Sequence, residues 1–266
     1  MRNAELKATA HPELRTPPAG AWSRKRLIRL IVTSATYRQS SRHRPGLLEI
    51  DPENDLLARQ NRIRVEAEIV RDLHLAASGL LCRKIGGPSV FPPLPPDIAA
   101  LSYANNFKWT TSEGEDRYRR GMYTFFKRTA PHPNLTTFDC PDSNTTAIER
   151  RTSNTPLMAL ETLNNEVFHE AAQAMARRVL TELHADDDAR LVRLFRLCVA
   201  RPPNSDELRQ FRGLLSTSRT WYDEHGEQAT QLVGPYQPAG VSPQETAAWI
   251  ATARIIMNMD EFITRE

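Results

Sequence analysis

Hydrophobic positions along the chain fall into stretches of helical period, separated by polar or proline-rich breaks. From Trp22 to about Arg38, Leu27, Ile28, Ile31, Val32 and Ala35 share one side, and Arg24, Lys25, Arg29 and Thr33 the other. That spacing predicts an amphipathic helix with a basic wet face. Asp51-Pro52-Glu53-Asn54 combines a capping carboxylate, a first-turn proline and acidic residues that complement a helix dipole, and so predicts the start of a long helix. Through about Ser78 this helix carries Leu56, Ile63, Ala67, Val70, His74 and Ala77 on one face. Arg62 with Glu66 and Arg64 with Glu68 are four apart on its wet side, and Gly79 predicts its stop.

The second half repeats the pattern. Asn154-Thr155-Pro156 reads as a cap and first-turn proline, opening a helix to about Asn164, and a further helix spans 166–183. Leu191, Leu194, Phe195 and Cys198 mark a helix within 187–200, stopped by Arg201-Pro202-Pro203. Asn204 with Glu207, and Ser242 with Glu245, have capping-box spacing ahead of apolar runs, the last holding Trp249, Ile250, Ala253, Ile256 and Met257. The middle is different. CRKIGGPSVFPPLPPDI predicts an extended connection, and within 97–150 the aromatics alternate with basic and polar groups, which permits a short strand or two around Met122 to Arg128. The fold expected is mainly α: a helical bundle with an irregular, Pro-rich middle and a small β element. Residues 1–20 form an irregular lead to one domain over 21–266.

Composition sharpens this picture in two places. With 40% hydrophobic residues and 19 prolines against 11 glycines, the 266-residue chain can bury a core and joins its elements by stiff connections. The net charge of +3 is unevenly spread, about +7 falling in the first fifty residues. This charge has no interleaved aromatics or nucleic-acid motif, so a solvated helix face is the expectation and nucleic acid is not an expected partner. The N-terminus lacks the apolar core of a signal peptide, and no run is long and apolar enough for a membrane span.

Candidate chemistry is sparse. Cys82, Cys140 and Cys198 are too far apart for a metal knuckle or covalent haem attachment; one disulfide with a spare thiol is arithmetically open, and three buried or half-buried thiols are the expectation. GGPS lacks the spacing and lysine of a phosphate loop, and Asp186-Asp187-Asp188 reads as a helix start rather than a calcium loop. His74, on an apolar stripe with no second ligand at helical spacing, reads as a core histidine. No cofactor or metal is called for.

One stretch, FFKRTAPHPNLTTFDCPDS (125–143), concentrates reactive groups. A hydrolase acting on polysaccharide or ester bonds could use His132 as base, Asp139 or Asp142 as acid or orienter, and Cys140 as nucleophile. Lys127 and Arg128 would bind an anion, with Arg150 and Arg151 as further binding residues. A structural reading of the same segment lets Pro131 and Pro133 fix its direction, the aromatics pack on helices, Asp139 and Asp142 cap turns, and Arg150 or Arg151 pair with a carboxylate. Aromatic and basic groups on an irregular segment also suit a binding surface.

The ordered strings SATYRQSS, DPEN, GGPSVFPP, YTFFKRTAPHP, TTFDCPD, NTPLMALETLNN, FRLCVARPP and NMDEFITRE carry a family resemblance. From about Trp22 onward the chain resembles the uncharacterised C-terminal domain of planctomycete-type cytochrome c-associated multidomain proteins. That resemblance implies a helical accessory module of an exported assembly, with a cytochrome c-like domain as partner and a periplasmic or extracellular location. Polysaccharide is a further partner it allows, and it assigns no catalytic residue. His11-Pro12-Glu13-Leu14 resembles the opening of a family segment that RTPPAG then replaces, so the chain is expected to be an N-terminally truncated fragment with an uncovered apolar patch. The expected function is therefore that of a non-catalytic accessory or interaction module, with hydrolysis centred on 125–143 as the alternative.

Overall fold

A computed structural model describes residues 23–42, 44–100, 108–182 and 186–265. The lead expected over 1–20, Trp22 at the start of the amphipathic helix and the end of the helix expected to reach Leu183 lie outside the described residues. The chain divides into two compact units, one spanning Met1–Arg62 and the other Ile63–Arg265.

In the first unit, α1 (Arg24–Thr33) is capped by the Ser23 hydroxyl, which accepts from the Arg26 amide at 3.4 Å. None of its side chains is buried; Leu27, Ile28 and Ile31 are about half exposed. A single turn, α2 (Leu47–Ile50), follows. The long helix expected from Asp51 does not form there. The Asp51 carboxylate accepts from the amides of Asp55 (2.8 Å) and Leu56 (3.0 Å), while Asn54 and Leu57 take positive φ angles of 60° and 52°. Local side-chain bonds thus outcompete the helical ladder, and left-handed residues cannot continue it.

The second unit begins with β1 (Ile63–Arg64), and the helix starts only at α3 (Ala67–Ser78), ending at Gly79 with φ 84° as its stop signal predicts. The anticipated Arg64–Glu68 pair is replaced by long-range partners: Arg64 binds Asp139 and Glu68 binds Arg150. After the proline-rich strip come the single turns α4 (Pro96–Ala99) and α5 (Pro133–Thr136). The helices α6 (Pro156–Asn164), α7 (Glu166–Glu182), α8 (Asp187–Val199), α9 (Ser205–Glu224), α10 (Gly226–Val233) and α11 (Pro243–Met257) build the bundle. The chain closes with α12 (Asp260–Ile263) and β2 (Thr264–Arg265), which pairs antiparallel with β1.

This is the mainly α architecture expected, although its small β element is elsewhere than expected. No strand forms around Met122 to Arg128. Val90 and Thr124 make one isolated parallel bridge, and residues 121–123 turn as a 3-10 helix.

Two apolar clusters hold the unit. The larger joins α7 to α11 through Met175, Leu194, Phe195, Leu215, Trp249 and Ile256, all essentially fully buried. The smaller joins α3, α5, α6 and α7 through Val70, Leu135, Met158 and Phe168, with Phe138. At about 25 cal/mol per Å² of apolar surface, such side chains supply the main favourable term of folding. Capping adds direction. Asn204 and Glu207 complete both halves of a capping box on α9. The Ser242 box is only half made: Ser242 accepts from the Glu245 amide, but the Glu245 carboxylate turns to Arg219 and the Trp249 indole. A charged, bidentate partner is stronger than a backbone amide, so the local motif yields. Asp186 caps α8 by accepting from the Ala189 amide at 2.8 Å, and Asp187 and Asp188 pair with Arg219 and Arg212.

Candidate functional site

The 125–143 segment lies across α3 and α7, and the fold gives each of its reactive groups a separate partner. His132 is 1% exposed. Its Nδ1 accepts from the Asn134 amide at 3.2 Å, capping the α5 turn, which leaves Nε2 as the protonated nitrogen donating to the Pro93 carbonyl at 3.0 Å. Burial pushes its pKa down to about 4, so the ring is neutral and both nitrogens are occupied. Trp109 packs beside it, 5.8 Å between ring centroids, and donates its indole N–H to the Pro92 carbonyl. His132 thus ties the proline-rich strip to the α5 turn.

Asp139 sits at φ 62°, a left-handed backbone that aims its carboxylate at Arg64 (2.5 Å) and at the amide (2.7 Å) and hydroxyl (2.8 Å) of Ser153. Asp142 accepts from the amide and side chain of Asn144, which holds its carboxyl below the usual range. Cys140 is half-buried, 3.9 Å from a Glu68 carboxylate oxygen. Burial first, and then the Glu68 charge, raise its thiol pKa, the reverse of what activates a nucleophile. The His–Asp–Cys grouping that the hydrolase alternative would need is therefore three separate contacts. Arg128 and Arg151 are exposed, and Lys127 is half-buried.

What the fold does assemble is a cleft of about 230 Å³ whose walls include Glu68, Phe126, Leu135, Cys140 and Arg150. Arg150 grips Glu68 through both amino groups, at 2.7 and 3.1 Å, with Glu66 at 3.5 Å from the first. Burial would raise the Glu68 pKa, but the Arg150 guanidinium outweighs it and holds the carboxylate below its ordinary value. The pair is charged and mutually satisfied. Gly121 forms part of the wall because its backbone presses on α3: a Cβ there would come within 2.3 Å of the Glu68 carbonyl oxygen. Its amide donates to the Asp72 carboxylate at 2.6 Å, and Arg120 closes the other side of that carboxylate.

His74, the core histidine of the sequence reading, is buried between Phe168 and Phe262 with Nδ1 on the Val70 carbonyl. Burial lowers its pKa to about 4. All three thiols are free, and burial pushes that of Cys198 up to about 12.

Residue types alone missed two groups. Arg119, 1% exposed, spans the proline-rich strip by donating to the carbonyls of Lys84, Gly86 and Pro88, with its guanidinium 3.8 Å from the Tyr123 ring centre. Glu170 gathers Arg117 (3.1 Å), Tyr118 (2.8 Å) and Tyr236 (3.0 Å). The glycine pair at 86–87 was a signal that a backbone here accepts close approach, but nothing local pointed to an arginine more than thirty residues on.

The class defined by these features is a mainly α-helical protein whose conspicuous polar side chains form structural bonds. The chain belongs to the family described as PSD1, protein of unknown function (DUF1553), whose model matches residues 17–215. No curated protein and no solved structure matches the chain.

Proposed function

We propose that this chain is a non-catalytic interaction module of an exported, cytochrome c-linked assembly. The observation that carries the reading is the engagement of His132, Asp139 and Cys140 by the Pro93 carbonyl, Ser153 with Arg64, and Glu68, respectively. Groups so engaged organise a surface and are not free to move protons. Supporting it, the apolar residues of α1 are exposed, as in a surface that contacts another chain. The cytochrome link rests on the ordered family strings. Titration calorimetry of the full chain with the haem-bearing domain of a full-length relative tests it. Binding tighter than about 10 μM is expected; absence of heat and of co-elution at both low and physiological salt would sink the proposal.

The alternative of a hydrolase on polysaccharide or ester bonds predicts turnover that disappears in His132→Gln and Cys140→Ser. The absence of turnover on a panel of both substrate types is the expected outcome.

A further inference from the structure

Arg71, on α3, is 3% exposed and donates to the carbonyls of Arg119 (3.3 Å) and Arg117 (2.6 Å), while its Nη1 has no hydrogen-bond partner. Arg119 rests on three carbonyls and the Tyr123 ring, and its Nε has no partner. Among the described residues, neither buried guanidinium has a carboxylate in ion-pair contact. The nearby acids are spent elsewhere: Asp72 on Arg120 and Gly121, Glu170 on Arg117 and the two tyrosines. Burying a cation is costly, and on Arg71 the charges of Asp72 and Glu170 offset part of that cost.

Beside Arg119 is a cleft of about 500 Å³ formed by residues 80–84 with Glu115 and Tyr118, within the range typical of small-molecule sites, about 300–1,000 Å³. Its frame is pinned by the Leu81 amide on the Leu75 carbonyl and the Cys82 amide on the Tyr118 carbonyl, both at 3.0 Å. The Arg119 guanidinium holds the Lys84 carbonyl from behind. Tyr118 is fixed by its hydroxyl on Glu170, which leaves its ring as a wall. Arg83 and Lys84 are exposed in this cleft, with no carboxylate in ion-pair contact among the described residues. Glu115 is the one acidic lining residue.

We infer that the cleft between residues 80–84 and Tyr118 binds a small organic oxyanion, its charge held by Arg83 and Lys84 and its ring or chain laid against Tyr118 and Leu80. A guanidinium and an ammonium lining one cleft suit a carboxylate or phosphate, and the repulsion from Glu115 orients the anionic end away from that carboxylate. A pinned frame lowers the ordering cost of binding.

Titration calorimetry of the full chain with phenyl phosphate, benzoate, inorganic phosphate and benzyl alcohol tests the inference. One of the ring-bearing anions is expected to bind at about millimolar Kd or tighter, and at least about tenfold better than benzyl alcohol or inorganic phosphate. Which of the two binds better assigns the charged group as phosphate or carboxylate. Joint Arg83→Glu and Lys84→Glu substitution, at exposed positions, should weaken that binding at least about tenfold and leave Tm nearly unchanged. The inference is overturned if both ring-bearing anions fail to bind at about 10 mM, if benzyl alcohol or inorganic phosphate binds equally well, or if binding survives the charge reversal.

Discussion

At the scale of single residues, the two deeply buried histidines make stability depend on pH in a definite direction. His74 and His132 have folded pKa values near 4 against an ordinary 6.5, so the unfolded chain binds more protons in that interval. Their contribution is fully present above about pH 6.5 and is lost as the pH falls toward 4, at a cost on the order of 3 kcal/mol for each ring. Urea midpoints measured from pH 7.5 to 4 should therefore fall. In His132→Gln, the curve should begin lower by about 1–3 kcal/mol because a buried bond to Pro93 or Asn134 is lost, and it should fall less steeply because one titrating group is gone. An unchanged slope would show that His132 is not buried as a neutral ring. The thiols offer a second test: an aromatic disulfide reagent at pH 8 should label the partly buried Cys198 much more slowly in the folded protein than after denaturation, because burial pushes that pKa up to about 12.

At the scale of elements, the boundary at Ala67 shows how local and distant bonds compete. The residues of 51–54 carry every local sign of a helix start, yet Asp51 and Asn54 use their side chains to close turns instead. Helical pairing would also have kept Arg64 and Glu68 together, whereas each finds a charged partner more than seventy residues away. The approach of residues 119–121 to α3 is equally a tertiary matter. Gly121→Ala should destabilise the protein by about 2–4 kcal/mol, since the added methyl meets backbone that cannot swing aside and the bond to Asp72 is displaced. Chemical denaturation checks this, and a loss below about 0.5 kcal/mol would mean that the two backbones separate easily. Asn204→Ala, which removes the side-chain half of the α9 capping box, should cost only about 1 kcal/mol.

At the scale of the whole molecule, stability is concentrated where the buried surface is. Hydrogen exchange should be slowest for amides of α7 and α11, whose Met175, Ala176, Trp249 and Ile250 are fully buried, and fastest in α1, which buries no side chain. Comparable protection of α1 would show that its exposed face is covered in solution. The periodic apolar spacing and the caps were sufficient to place α6, α7, α8 and α11 to within a residue or two, and the start of α9, because each buries one face and that face repeats every three or four positions. The same logic could not reach α10, a short helix after His225 with only Ala229 and Val233 buried. It also misplaced the strand, because an extended segment alternates whether or not a partner lies alongside, and the pairing of Ile63–Arg64 with Thr264–Arg265 joins opposite ends of the unit. Reactive-looking composition was legible at 125–143, but not its use. The sequence by itself determined the helical class, the caps at Asn204 and Ser242 and the candidate groups, because these depend on neighbours within one or two turns. Only the tertiary structure decided that His132 holds Pro93, that Asp139 holds Ser153, and that the buried Arg119 holds the Lys84 carbonyl at the cleft of residues 80–84. Desolvation and charge pairing act through space, and the partners they select lie tens of residues apart along the chain.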